Sequence, residues 1–379
     1  MDFSIVVKDG LARAGRLRLL HGIVETPAFM PIGTYGAVKG ILPDELQASG
    51  TQMILANTFH LWERPGKEII DLHQGLHGFM QWSKPILTDS GGFQVMSLAA
   101  LRKISDEGVM FQSPIDGARR FLTPEESIRI QSWLNSDIVM VLDECPPYPA
   151  SYEEVAKAVR RSIAWAKRSK MAHSHNPNAL FAIVQGGVYP DLREHSANAL
   201  LEIGFDGYAI GGLAVGEPKD AMFTALAATM PLLPEEKPRY LMGVGTPEDL
   251  VNAVLWGVDL FDCVLPTRNG RNGWLYTHEG IVKIRNSTYR TDSNVLDAHC
   301  HCPLCQGFSR AYLHHLFRIH EMLGARLASL HNIYFYQKLM HKMRAAIQRG
   351  SFFALKEKFS TQAMIEYLLF EGGKTHVDQ

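Results

Sequence analysis

Three hydrophobic runs in this chain close on a carboxylate: Leu87-Thr88-Asp89-Ser90-Gly91-Gly92, Val141-Leu142-Asp143-Glu144-Cys145 and Leu260-Phe261-Asp262-Cys263. Two more end in Gln185-Gly186-Gly187 and Gly211-Gly212. Glycine pairs let a ligand lie directly on backbone amides, because no Cβ intrudes. Brought to one mouth, these groups suit a purine. A carboxylate accepts two donors from the N1–H and N2–H2 edge, while a glutamine NH2 or a backbone N–H donates to O6. Two further carboxylates suit double displacement at a glycosidic carbon, one as nucleophile and one as acid/base. A single buried aspartate reads equally well as a cap or an ion-pair partner. The recurrence of the pattern carries the functional reading.

A second constellation is Cys300-His301-Cys302-Pro303-Leu304-Cys305, a C-x-C-x2-C spacing. Three thiolates this close can converge on one tetrahedral ion, and zinc is the usual occupant. The fourth ligand has four downstream candidates: His314, His315, His320 and His331. A closed Cys3His shell has no open coordination position, so one structural zinc per chain is expected, holding a subdomain rather than doing chemistry. His301, between ligands, reads as solvated. The H-x-E and P-C-x-x-C patterns of a zinc deaminase are absent.

These groups need a frame that gathers strand ends. Short β-rich runs recur at 25–32, 52–57, 85–89, 137–143, 180–185, 207–210, 239–243 and 260–264, most of them followed by a polar or helical stretch. Several are nearly continuous hydrophobics, such as Ile138-Val139-Met140-Val141-Leu142, as a strand covered on both faces requires. Helix starts lie between them. Thr123-Pro124-Glu125-Glu126 and Ser151-Tyr152-Glu153-Glu154 match the capping box, and Thr246-Pro247 offers an N-cap with proline at N1. The fold class is therefore α/β, a (β/α)8 TIM-type barrel, with a doubly wound sheet as runner-up. In a barrel the catalytic groups sit at the C-terminal strand ends, where the aspartates fall. A long helical region is expected at 309–349. The organisation expected is one catalytic barrel over 1–379, with a zinc-binding, basic, helical subdomain embedded at about 275–350. Gly243-Val244-Gly245 lacks the third glycine of a dinucleotide fingerprint.

The chain has 379 residues, 46% of them hydrophobic, enough for a large core. A net charge of -1 hides an asymmetry. Positions 264–350 carry twelve Lys/Arg against four Asp/Glu, a balance of +8 that leaves -9 elsewhere. A basic lobe on an acidic body suits a polyanion. No apolar run approaches the roughly 18 residues of a membrane span, and residues 1–10 carry no basic, apolar leader. Five cysteines do not make a disulfide framework, so a reduced, cytoplasmic protein is expected.

Asp89-Ser90-Gly91-Gly92-Phe93-Gln94, Asp143-Glu144-Cys145-Pro146, Gln185-Gly186-Gly187, Gly211-Gly212-Leu213-Ala214-Val215-Gly216-Glu217 and Phe261-Asp262-Cys263-Val264-Leu265-Pro266-Thr267-Arg268 together resemble the tRNA-guanine transglycosylases, also called queuine tRNA-ribosyltransferases. The motifs are long and in family order, and the likeness runs through the zinc spacing. By this resemblance Asp262 is the nucleophile on C1′ of the wobble ribose, and Asp89 is the general acid/base, positioned by Asn57. Asp143, Gln185, Gly212 and Leu213 read the base, with Ser90 and Cys145 beside them, between stacking walls Phe93 and Met242. Arg268, Arg271 and Asp249 contact the uridines flanking the target, in the U-G-U context of a tRNA anticodon stem-loop. The zinc ligands become Cys300, Cys302, Cys305 and His331, and a homodimer is implied.

Cys145 and Leu213-Ala214-Val215-Gly216 look like the bacterial enzymes, which insert 7-aminomethyl-7-deazaguanine in exchange for guanine. Thr246 departs from that pattern by standing where a lysine thought to touch RNA is found. The rival readings are a non-catalytic tRNA-binding paralogue, disfavoured by Asp89 and Asp262, and an archaeal-type enzyme, disfavoured by the lack of an added RNA-binding domain. A small-molecule barrel enzyme is disfavoured by the basic lobe.

Overall fold

The computed structural model describes residues 1–98, 102–354 and 365. The chain begins with β1 (Asp2–Asp9), β2 (Ala12–Leu19) and β3 (Gly22–Thr26), an antiparallel sheet ahead of the barrel. The sequence reading assigns no strand before position 25, although β1 alternates exposed and half-buried residues along its length. Residues 25 and 26 therefore belong to this outer sheet and not to the barrel.

The barrel follows: β4 (Ala28–Met30), β5 (Ile32–Gly33), β6 (Ile54–Ala56) and β7 (Ile86–Thr88). An inserted antiparallel sheet of β8 (Arg102–Ile104), β9 (Val109–Gln112) and β10 (Arg119–Leu122) interrupts it. Then come β11 (Ile138–Met140), β12 (Ala179–Val184), β13 (Gly207–Ile210), β14 (Arg239–Leu241) and β15 (Leu260–Asp262). All pair in parallel, in the order β4-β15-β14-β13-β12-β11-β7-β6-β5. The first and last of these flank Pro31, which has no N–H for a ladder. One interrupted strand thus supplies both edges, and the nine segments close as an eight-stranded barrel.

Helices surround the sheet, and β6, β7, β11, β12 and β13 are buried at every position. Strands covered on both faces must be apolar throughout, which is why their sequences run without alternation. The expected strands are longer than those observed because apolar character outlasts pairing. Val141 and Leu142 remain buried in the hydrophobic core beyond the end of β11.

Local capping follows the sequence at two of three sites. Ser151 and Glu154 form a full capping box, as do Thr246 and Asp249. Thr123 accepts from the Glu126 N–H at 3.1 Å, but the Glu126 carboxylate pairs with Arg129 instead of turning back.

After the barrel, β16 (Trp274–Thr277) and β17 (Gly280–Lys283) form a hairpin, followed by helices Pro303–Gly307, Arg310–Arg318 and Met322–Gln348. The long helical region expected at 309–349 is present as two helices. His320 takes a left-handed φ of 58° between them, and the Glu321 side chain caps the second. Leu275, Leu296, Leu304, Leu313 and Leu316 make a small core here. The last helix ties that core to the barrel: Leu327 and Ala328 enter the small core, while Tyr336, Leu339 and Met343 enter the large one. No helix among the described residues is long and apolar enough to cross a membrane.

Candidate active site

Parallel pairing puts every C-terminal strand end at one mouth. Asn57 follows β6, Asp89 follows β7, and Asp143 lies just past β11. Gln185 follows β12, Gly211 and Gly212 follow β13, Met242 follows β14, and Asp262 closes β15.

Asp89, Asp143 and Asp262 are all buried. Asp89 Oδ2 accepts from Asn57 Nδ2 at 2.6 Å and from Gln94 Nε2 at 2.7 Å, and Oδ1 accepts from the Thr58 N–H at 2.8 Å. Burial pushes its pKa up to about 6, against those donors and with help from the charge of Asp262. A group that titrates near neutrality can pass a proton in either direction. Asp143 Oδ2 accepts from Gln185 Nε2 at 2.6 Å, and burial pushes its pKa up to about 6 as well. Asp262 Oδ1 accepts from the Tyr240 hydroxyl at 2.5 Å and from the Gly243 N–H at 2.8 Å. Burial raises its pKa while those two donors hold it down. The charge of Asp262 thus reaches Asp89 across the mouth.

Ser90 is buried; its hydroxyl accepts from the Gly92 N–H and its carbonyl from Ser127. Phe93 is 53% exposed, a large aromatic face at the edge of the mouth. It lines a cavity of about 700 Å³ together with Glu144, Cys145 and Val215. Met242 is half-buried, packed on the barrel core. Burial pushes the Cys145 thiol up to about 12, so it remains a neutral thiol. Leu213 is buried, and Glu217 accepts the N–H groups of both Ala214 and Val215. The Leu213 carbonyl shares a trans peptide with the Ala214 N–H, so it points away from Glu217.

Arg268 and Arg271 lie on the helix Leu265–Arg271, directly after Asp262. Arg268 is exposed, and Nη1 of Arg271 is buried without a partner. Asp249 stands differently. It is buried, caps its helix through Thr246, and pairs with Lys219 at 2.8 Å. The same Lys219 reaches Thr246 Oγ1 at 3.5 Å.

Cys300, Cys302, Cys305 and His331 are buried, and their ligand atoms all lie within 4.8 Å of one another, so they could hold one metal ion. His331 Nδ1 is 3.4 Å from the sulfurs of both Cys302 and Cys305. Its Nε2 meets the Tyr276 carbonyl at 2.8 Å, which fixes that nitrogen as the donor and turns the Nδ1 lone pair to the sulfurs. Three sulfurs and one such nitrogen fit a tetrahedral thiophilic ion with no position left open. His314 instead meets the Ile284 carbonyl, and neither His315 nor His320 joins the cluster. At the barrel's opposite end, His21, His77 and Asp137 also come together. There the two imidazoles stack at 3.6 Å and the backbone N–H groups of His21 and Ile86 already occupy both carboxylate oxygens, the arrangement of a hydrogen-bonded clamp.

Sequence reasoning missed Tyr240, Gln94 and Thr58. Tyr240 sits mid-strand and reads as core, whereas Gln94 was visible as the sixth residue of the Asp89 motif.

The sequence profile described as queuine tRNA-ribosyltransferase matches residues 9–364. A queuine tRNA-ribosyltransferase of Nitrosomonas europaea is 63% identical over 362 residues, 96% of this chain and 98% of the relative. One from Nitrosomonas eutropha is 62% identical over 360 residues, covering 95% and 100%. One from Methylobacillus flagellatus is 60% identical over 359 residues, covering 95% and 97%.

Proposed function

Because this chain belongs to the queuine tRNA-ribosyltransferase family, we propose that it exchanges the guanine at the wobble position of tRNA anticodons for 7-aminomethyl-7-deazaguanine. One observation carries the reading: Asp89, Asp143 and Asp262 converge, buried, at a single mouth with Gln185 and Gly212. Keeping three carboxylates out of water is costly, and a merely RNA-binding paralogue has no use for them.

Asp262 attacks C1′ of the ribose with inversion. The C1′–N9 electron pair leaves with guanine, which takes its proton from Asp89. The incoming base, deprotonated by Asp89, then displaces Asp262 with a second inversion, and the β-configuration returns. Asp143 accepts from the N1–H and N2–H2 edge. Gln185 and the Gly212 N–H serve O6, Ser90 and Cys145 flank the base, and Phe93 and Met242 stack on it. The Leu213 carbonyl accepts from the aminomethyl ammonium.

Arg268 and Arg271 hold the RNA beside the target in a U-G-U loop, whose unpaired bases splay out at low cost. Asp249 meets a uridine N3–H only by loosening its hold on Lys219. Cys300, Cys302, Cys305 and His331 bind one structural zinc that holds a basic lobe at about 275–350 together. A homodimer in the cytoplasm, where the five free cysteines stay reduced, completes the reading.

Incubation with unfractionated tRNA and labelled guanine tests it. Label entering tRNA, chased out by 7-aminomethyl-7-deazaguanine, is the expected result. Intact, tRNA-binding protein that incorporates none would overturn the reading.

A further inference from the structure

Arg193 lies in the first turn of helix Pro190–Ile203, and none of its surface is exposed. Its hydrogen bonds go to backbone carbonyls and not to a carboxylate. Nε donates to Gly187 O at 2.7 Å, Nη2 donates to Gly211 O at 3.0 Å, and Nη1 has no partner. Burial pushes its pKa down to about 10, so it stays charged at neutral pH. A buried guanidinium that donates to no carboxylate, supported only by the nearby charge of Glu217, is expensive to keep, and what it holds explains why it is kept.

The two carbonyls belong to the loops that carry the base-reading groups. Gly187 closes the loop that starts at Gln185, and Gly211 shares a peptide plane with the N–H of Gly212. In a trans peptide the carbonyl and the N–H point opposite ways. Anchoring Gly211 O on Arg193 therefore sets where the Gly212 N–H aims, toward the side of the Cys145 thiol. The packing leaves no slack. A Cβ at Gly186 would come 2.6 Å from Arg193 Cγ, and one at Gly212 would come 2.4 Å from Gln185 Oε1.

We propose that Arg193 is a positioning residue for base exchange: its fork locks the β12 and β13 loops together and polarises the Gly211–Gly212 peptide, so that the Gly212 N–H is an aimed and strengthened donor to O6 of the base. This rests on the base-exchange reading above. As the C1′–N9 bond breaks, its electron pair goes to the base and charge spreads to O6, while the new bond forms between C1′ and Asp262. A preorganised donor at O6 is then stronger in the transition state than before it. A cation on the far side of the same peptide reinforces that donor, as linked hydrogen bonds polarise one another. Lysine would keep the charge but cannot span two carbonyls in a fixed fork.

The test is steady-state guanine exchange by full-length Arg193→Lys and Arg193→Ala, with tRNA binding followed by gel shift and folding by circular dichroism. Arg193→Lys should lower kcat by about tenfold and raise KM for guanine severalfold, with tRNA affinity unchanged. Arg193→Ala should lose about a hundredfold in kcat/KM, and millimolar guanidinium ion should restore part of it where methylammonium does not. Wild-type kcat and KM in Arg193→Lys would overturn the assignment. So would both variants losing fold or tRNA binding in step with activity, because Arg193 would then be a fold element only. Failure of the wild-type chain to exchange guanine would instead remove the base-exchange reading itself.

Discussion

The Tyr240 hydroxyl and the Asp262 carboxylate meet at 2.5 Å, with the Gly243 N–H on the same oxygen, Oδ1, at 2.8 Å. One oxygen is thereby pinned, which under the proposed mechanism leaves Oδ2 to bond to C1′. Burial and the Asp262 charge raise the Tyr240 pKa well above that of an ordinary phenol, so the hydroxyl remains a donor at any working pH. Tyr240→Phe should lower the exchange rate by about ten- to a hundredfold, as expected for losing a hydrogen bond of about 1.5–3 kcal/mol to a charged group. KM for tRNA should not move. Asp262→Asn should abolish both exchange and the covalent RNA adduct while keeping tRNA binding. An adduct of Asp262→Asn that survives denaturing electrophoresis would remove the nucleophile assignment.

Asp143 has a pKa raised to about 6 by burial. Above that pH it is a pure acceptor; below it one oxygen carries a proton and faces the donor edge of the purine. KM for guanine should therefore rise as pH falls through about 6, by at most about tenfold per pH unit. Asp143→Ala should weaken base recognition far more than RNA binding, which kinetic constants for the incoming base will show.

The same shift makes a stability prediction. A carboxylate whose folded pKa lies above its unfolded value of 3.8 burdens the fold only when charged. The burden is absent below pH 3.8, grows between there and about 6, and is full above that. Asp143→Asn should raise Tm at pH 8, by up to about 3 kcal/mol in stability, and the difference should vanish toward pH 4. A difference independent of pH would contradict it.

Removing the metal should loosen the region around β16 and β17 first, since Cys300, Cys302 and Cys305 enclose the same small core as Leu275 and Leu313. Chelation or Cys302→Ser should lower Tm and increase proteolysis within 275–350, because a closed site contributes folding free energy directly. Metal analysis is the check. Fully active protein with well under about one zinc per chain would refute a structural zinc.

Val215 lines the cavity beside Cys145, and its N–H is held by Glu217 at 3.0 Å. A β-branched side chain there has little freedom to swing aside. The wild-type chain should insert guanine and 7-aminomethyl-7-deazaguanine but discriminate against queuine, whose cyclopentenediol is bulkier. Val215→Gly, with or without Cys145→Val, should relax that discrimination. Competition among the three bases decides it, and efficient queuine insertion by the wild type would contradict the bacterial-type specificity.

The place of the candidate site was legible in the sequence because a parallel barrel sends every strand end to one mouth. An aspartate closing a hydrophobic run, as at positions 89, 143 and 262, is placed by topology before any contact is known. The C-x-C-x2-C spacing is equally local. What each group meets is not. Tyr240 reaches Asp262 only because β14 and β15 pair in one register, and Arg193 reaches Gly211 across two loops. His331 joined the cysteines over His314 only through the fold of the last helix. The N-terminal sheet, the strand split at Pro31 and the helix break at His320 are instead local features that the sequence reading passed over: adjacent hairpins, a proline without an N–H, and a cap at Glu321. Residue type and period are written locally, but hydrogen-bond partners and the pKa shifts they govern depend on which distant backbone lies 3 Å away, and that is fixed only when the barrel closes.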